Sequence, residues 1–337
     1  MNRALLNELQ RQFSYPSVTL LCNTRVGTLG SPDDLRNLEQ LVQDTDRRLS
    51  GDVTDAIRHA TIAKLRDLVN SCVAGVGTHA VAIFASPEQA AFVRLMDPVR
   101  DRVVVDNTFA TRDLVVDAQR TLSFRVITVS DHTCRLLLGD RSRLAEQKDD
   151  LWPLHRTEES SDGWLRSIKT ALTNDPSLRE IPTVIAGTPR AAREAARVVD
   201  INMIGIVAGN HDRTSWVALH QDAWPLVAQH LDDEDAQALA NLDTARGINR
   251  YAGGINEVWE LAEQGRVELL VVERSYEFPA RLHDGHLSSA DDVESPDVID
   301  DAVDELIEAV LMKRGRVAIV ADGELTEHGR IASVLRY

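Results

Sequence analysis

Several short clusters in this 337-residue chain carry residue types able to do chemistry. Gly209-Asn210-His211-Asp212 follows the apolar run from Met203 to Ala208, so an amide, an imidazole and a carboxylate would sit together at the end of a buried strand. That set suits a metal-dependent phosphoesterase using Asn210, His211 and Asp212, a chemistry in which bridging carboxylates and several imidazoles hold two metals about 4 Å apart. The further partners are poorly spaced for it. Asp131 and His132 are adjacent, and Gly139-Asp140 is followed by Arg141-Ser142-Arg143 with no second acid. The plainer reading is a strand-end turn in which Asn210 and Asp212 bond the local backbone. Gly187-Thr188-Pro189-Arg190 ends another strand and opens a helix, where free N–H groups can meet an anion. It lacks the glycine spacing of a dinucleotide site or P-loop, and Pro189 suits a first helical turn. His283-Asp284-Gly285-His286 offers two histidines with no third or fourth metal ligand nearby. These residues predict no resident metal, no cofactor and no enzyme.

Cations form two candidate RNA-contacting groups. Arg47, Arg48, Arg58, Lys64 and Arg66 flank a predicted helix pair near the start. Arg141, Arg143, His155 and Arg156 lie in a polar stretch over 140–162 beside Trp152, whose ring would stack on an unpaired base. Asp149, Asp150, Glu158 and Glu159 dilute that charge, and a solvated mixed-charge surface is the counter-reading. Net charge is −16, which by itself disfavours phosphate contacts. The excess acid gathers in residues 242–337, whereas the first two thirds are close to balance. Basic patches there remain able to meet RNA.

The elements that must position these groups fall into three segments, at 1–119, 120–242 and 243–337. In the first, a strand over 17–22 precedes a glycine-bearing turn through Gly27 and Gly30. A helix capped by Asp33 or Asp34 follows, with Leu35, Leu38, Leu41 and Val42 on one face. A second helix runs from about 53 to 73, then strands at 80–85 and 103–106. The second segment opens with a hairpin, 124–129 and 134–138, and continues into a strand-helix-strand unit over 183–209, which predicts parallel pairing. An acidic helix over 232–242 leads to the third segment, which reads helix, strand, acidic loop at 284–297, helix and strand. The fold class is therefore α/β, three small domains each with a sheet and covering helices.

Three scattered cysteines, Cys22, Cys72 and Cys134, fit neither a disulfide framework nor a zinc site. No stretch approaches the roughly 20 apolar residues that span a bilayer, and the first residues do not read as a secretory signal. The expectation is a cytoplasmic protein with no membrane partner.

The order of these segments resembles the archaeo-eukaryotic release factor and Pelota superfamily in its bacterial branch. Tyr251-Ala252-Gly253-Gly254-Ile255-Asn256-Glu257-Val258, the link Gly265-Arg266-Val267-Glu268 and the ending Gly329 to Tyr337 are similar to that family's C-terminal domain. Val18-Thr19-Leu20-Leu21 and Ala82-Ile83-Phe84-Ala85 resemble strands of its N-terminal domain. Arg135-Leu136-Leu137 and Val207 to Asp212 resemble the middle domain of the bacterial branch. Two family signatures are missing. The middle segment has no Gly-Gly-Gln, since the one Gly-Gly pair is followed by Ile255, and Ser50-Gly51-Asp52-Val53 stands where release factors carry Asn-Ile-Lys-Ser. The resemblance implies a Pelota-like or Balon-like factor that occupies the aminoacyl site of idle or stalled ribosomes, in hibernation or rescue, without releasing peptide. Implied partners are rRNA of the decoding region and peptidyl transferase centre and a translational GTPase such as elongation factor Tu. The 140–162 stretch would correspond to the family's tip loop.

Overall fold

Alternation of side chains along two central strands organises the N-terminal segment. The computed structural model describes residues 3–25, 31–72, 78–120, 123–157, 160–173, 179–198, 201–292, 295 and 297–337. Here α1 (Arg3–Leu9) precedes β1 (Ser17–Asn23), α2 (Pro32–Leu49), α3 (Asp55–Cys72), β2 (Ala80–Ala85), β3 (Ala90–Leu95), β4 (Arg102–Asp106) and α4 (Arg112–Arg120). The strands pair antiparallel in the order β3-β2-β1-β4. Successive side chains on a strand face opposite ways. Val18, Leu20, Val81 and Ile83 therefore meet Leu38 and Leu65 on the helix pair, while Leu21, Ala82 and Phe84 turn into a second core. Ser31, and not Asp33 or Asp34, caps α2: its hydroxyl accepts from the Asp34 N–H at 3.1 Å, with Pro32 in the first turn. The two aspartates fill that turn, where the helix dipole favours acids. The expected turn at Gly27 and Gly30 lies outside the described residues, as do Glu158 and Glu159.

The middle segment runs β5 (Phe124–Val129), β6 (Thr133–Gly139), β7 (Leu144–Glu146), β8 (Leu154–His155), α5 (Ser161–Thr173), β9 (Thr183–Gly187), α6 (Pro189–Val198), β10 (Met203–Ala208) and α7 (Trp216–Gly247). Its sheet has the order β10-β9-β5-β6-β7, with β8 also on β6. The β5–β6 hairpin and the parallel β9–α6–β10 unit are both present. The 140–162 stretch differs from the expected loop. β7 extends the sheet edge, β8 pairs with the start of β6, and Trp152 is buried between them. The helix expected over 232–242 is the second half of α7, whose Leu219, Ala223 and Val227 cover one face of the sheet. Residues Arg120–Ala236 form one compact unit, and Met1–Gln119 with Gln237–Tyr337 form the other.

The last segment contains β11 (Tyr251–Gly253), α8 (Ile255–Glu263), β12 (Val267–Glu273), β13 (Ala280–His283), β14 (His286–Ser289), α9 (Ala302–Met312), β15 (Arg316–Val320) and β16 (Ile331–Leu335). β11-β16-β12-β15 make a mixed sheet, and β13 and β14 a separate hairpin. That hairpin replaces part of the loop expected at 284–297. Its two-residue turn is Asp284-Gly285, with φ of 48° and 84°, the left-handed pair such a turn requires. His283 and His286 are thereby cross-strand neighbours.

Buried charge joins the first and last segments within their unit. Asp304 accepts from the N–H groups of Thr111 at 3.0 Å and Arg112 at 2.7 Å, capping the start of α4. Glu308 accepts from the Thr111 hydroxyl at 3.0 Å, and Glu305 from the Thr108 hydroxyl at 2.8 Å. Asp301, the N-cap of α9, accepts from the Phe278 and Val303 N–H groups and lies 2.8 Å from the Arg112 guanidinium. Arg102 pairs with Asp113 at 3.0 Å and with Glu277.

Burial, reinforced by neighbouring acids, pushes the carboxyls of Asp304 and Glu308 well above the usual carboxylate range. A carboxyl whose pKa is higher in the fold than in the open chain holds its proton more tightly when folded. Its contribution is therefore present at low pH and lost as pH rises toward the raised value. Backbone amide exchange in α9 should accelerate, beyond its intrinsic pH dependence, between about pH 6 and pH 8. Glu308→Gln should flatten that dependence and stabilise the unit by about 1–3 kcal/mol near pH 8. An unchanged profile in the variant would assign the effect to other groups.

Candidate functional site

Three parallel strands of the Arg120–Ala236 unit end at one edge. Val129 of β5 lies opposite Gly187 of β9, which lies opposite Ala208 of β10. Ser130, Thr188 and Gly209 therefore leave the sheet side by side, at the carboxyl ends of the strands where open α/β sheets place their ligands. Close approach of the backbones explains Gly187: a Cβ there would lie 2.5 Å from the Val129 carbonyl oxygen. The edge encloses a cavity of about 200 Å³, lined by residues of the 128–132 and 209–212 stretches and by Thr188. The structure thus brings together Asp131-His132 and Asn210-His211-Asp212, which the sequence shows only as separate clusters.

Local bonds fix the cavity's walls. The Ser130 hydroxyl accepts from the N–H groups of Thr133 at 3.1 Å and His132 at 3.3 Å. Arg156 donates its N–H to the His132 carbonyl at 2.9 Å and its guanidinium to the Asp131 carbonyl at 3.3 Å. Across the cavity the Asp212 N–H donates to the Asn210 side chain at 3.1 Å, the strand-end turn expected of that pair. His211 Nδ1 lies 3.3 Å from the Thr214 hydroxyl. Its ring lies over Gly209, where a Cβ would come within 3.0 Å of Nε2. That nitrogen is buried without a hydrogen-bond partner among the described residues. No group of three or more His, Cys, Asp or Glu able to hold a metal occurs among the described residues.

The candidate RNA-contacting cations divide by burial and pairing. Arg47 and Arg66 are exposed, Arg47 beside Asp44 at 2.9 Å. Arg141, Arg143 and His155 are also exposed, Arg143 with Asp140 at 4.0 Å. Others serve the fold. Arg48 pairs with Asp300 at 3.1 Å, and Arg58 with Asp46 at 2.9 Å and Asp55 at 3.2 Å. Lys64 donates to the carbonyls of Ser86 at 2.7 Å and Pro87 at 2.5 Å. Arg156 holds the 130–133 turn as described. Trp152 corrects the sequence reading: it is 3% exposed and packs with Trp164 and Leu136, so its ring faces no solvent on which a base would stack.

Ser50-Gly51-Asp52 joins α2 to α3, with Gly51 at φ 86°. It lines a second cavity, of about 350 Å³, with Tyr15, Arg48, Asp106 and Asp300. The Tyr15 hydroxyl donates to Asp52. Burial, opposed by Arg48, pushes the Asp300 carboxyl up to about 6. The three cysteines are buried thiols, Cys22 pushed up to about 12 by burial, so none is poised as a nucleophile.

Residues 157–266 match the family described as bacterial archaeo-eukaryotic release factor family 3. Among solved structures, a ribosome-bound archaeal Pelota, described together with ABCE1, is 12% identical, with 99% of this chain and 94% of that one covered and a TM-score of 0.46. Dom34 of S. cerevisiae, a translation termination-like factor, is 11% identical over 81% of this chain and 78% of its own, with a TM-score of 0.46. The archaeal translation termination factor aRF1 is 17% identical, with 99% and 96% covered and a TM-score of 0.27. Superpositions this loose carry no argument about activity. No curated protein matches the chain at a significant level.

Gly187→Ala should lower the stability of the Arg120–Ala236 unit by about 1–3 kcal/mol, because the added methyl meets backbone and not a movable side chain. Denaturant unfolding followed by tryptophan fluorescence checks this; an unchanged midpoint would mean that β5 and β9 separate at little cost.

Proposed function

The chain is release factor/Pelota-like through residues 157–266, and from that premise we propose that it is a ribosome-binding translation factor acting without chemistry of its own. It occupies the aminoacyl site of idle or stalled ribosomes. The family match carries this reading: it spans α5, β9, α6 and β10 of the middle unit and continues through α7 to the start of β12. Two features support occupancy over peptide release. No Gly-Gly-Gln stands in the middle segment, and the Gly253-Gly254 pair has a structural task, with Gly254 at φ 80° donating its N–H to the carbonyls of His328 and Ile331. The 140–162 stretch is also drawn onto the sheet by β7, β8 and Trp152. Contacts to rRNA then fall to the exposed cations Arg47, Arg66, Arg141, Arg143 and His155. A translational GTPase as delivery partner is part of the same proposal.

Co-sedimentation of the full chain with 70S ribosomes tests it. Binding should weaken with salt, and Arg141→Glu with Arg143→Glu should weaken it at least about tenfold and lower the salt slope by about two. Arg47→Glu with Arg66→Glu should act similarly if the first segment faces RNA. Absence of ribosome binding at about 50 mM salt, where phosphate contacts are strong, would sink the reading. Peptide release from a programmed ribosome, or chelator-sensitive phosphoesterase turnover, would overturn its non-enzymatic part.

A further inference from the structure

We propose that the strand-end cavity of the Arg120–Ala236 unit is a binding site for a ribose phosphate, presented by a free nucleotide or by an RNA terminus. The site lies wholly within this unit and does not depend on the ribosomal reading. Apart from Val129, its lining is hydroxyls, imidazoles, carboxylates, an amide and Gly209. No Phe, Tyr or Trp stands among those lining residues, so a base finds no stacking platform of the kind that single-strand binders use. The recognisable part of a nucleotide here is its hydrophilic part. At about 200 Å³ the space suits a sugar phosphate better than a whole folded ligand.

Donors and acceptors are divided to match that ligand. Asp131 and Asp212 offer carboxylates to paired sugar hydroxyls, which need acceptors. His132, His211 and the Thr188 hydroxyl offer donors to phosphate oxygens, and charge-assisted bonds of this type are the strong ones. Arg190, exposed in the first turn of α6, is paired with Glu194 at 2.9 Å and also stands within electrostatic reach of Asp131.

His211 supplies the second, independent observation. Its Nδ1 is occupied by Thr214, its ring is laid over Gly209, and its Nε2 is buried with no partner among the described residues. A buried imidazole nitrogen left unpaired costs the desolvation of that group. Because this nitrogen lies against Gly209 and out of reach of solvent, a phosphate oxygen or sugar hydroxyl meets it only when the ring turns off Gly209 toward the cavity, and binding then draws on the relief of that cost. Gly209 keeps the arrangement possible, because any side chain there would displace the ring.

The experiment uses the full chain labelled with nitrogen-15 in its histidine rings, titrated with AMP at about pH 6.5, where imidazole resonances respond most to charge. His132→Asn and His211→Asn identify the two signals. Saturable shifts of both, weaker affinity for inorganic phosphate than for AMP, and a loss of about tenfold or more in His211→Asn and Asp131→Asn are the expected results. Asp131 is exposed, so its variant keeps the test informative if the histidine variant fails to fold. A short RNA that displaces AMP identifies an RNA terminus as the source. AMP binding that RNA does not displace identifies a free nucleotide. If AMP, inorganic phosphate and RNA all leave both signals unmoved, or if His211→Asn and Asp131→Asn bind AMP as tightly as the unaltered chain does, the proposal is wrong.

Discussion

Contact between the acidic face of α9 and the 108–113 stretch is the constraint on which the larger unit depends. Asp304 reaches back nearly two hundred residues to close the first turn of α4, and Glu305 and Glu308 take the hydroxyls of Thr108 and Thr111. Buried carboxyl groups are costly unless they are hydrogen-bonded, and burial favours their protonated form. Here they are placed where a helix start has N–H groups to give. The apolar face of β1 and β2 carrying Leu21 and Phe84 shares one core with Val258, Leu270 and Ile307, so residues 1–119 cannot cover that face alone. Hydrophobic burial holds the two segments together, and the polar contacts fix their register.

The smaller unit is built on a different principle. Its parallel strands are covered on both faces, by α5 and α6 on one and by α7 on the other. Strands so covered are apolar nearly throughout, which leaves most polar residues at the ends, with Arg125 and Thr128 of β5 as exceptions. Ser130-Asp131-His132, Thr188 and Asn210-His211-Asp212 are concentrated at the carboxyl edge for that reason. Gly187 lets the backbones of β5 and β9 close up, and Gly209 admits the His211 ring. The cavity is a consequence of sheet topology as much as of its side chains.

Positive charge is used unevenly. Arg48, Arg58, Lys64, Arg102 and Arg112 are engaged by acids or carbonyls and largely covered, while Arg47 beside Asp44, Arg143 beside Asp140, and Arg66 and Arg141 are exposed. In a chain of net charge −16, the phosphate contacts proposed above would fall on exposed cations of this kind. Contact with phosphate would then be local, not a long-range attraction of the whole surface.

Sequence alone determined the class of fold and most of its elements, because hydrophobic period and strand-end turns are local signals. The β5–β6 hairpin, the β9–α6–β10 unit, the α2–α3 pair and the strands β1, β2 and β12 could all be read from spacing, whereas β16, central in the last sheet, could not. It also fixed the absence of Gly-Gly-Gln from the middle segment. Tertiary structure decided the rest. Whether a polar stretch such as 140–162 is a loop or a sheet edge depends on pairing with β6, which no local pattern encodes, and Trp152 went to the core by that pairing. The Asp284-Gly285 turn was a local hairpin signal hidden by the acidic residues after it. Neither the convergence of Asp131-His132 with Asn210-His211-Asp212 nor the capping of α4 by Asp304 follows from spacing. Both are set by strand order and by which helix covers which face, and those are properties of the packed chain.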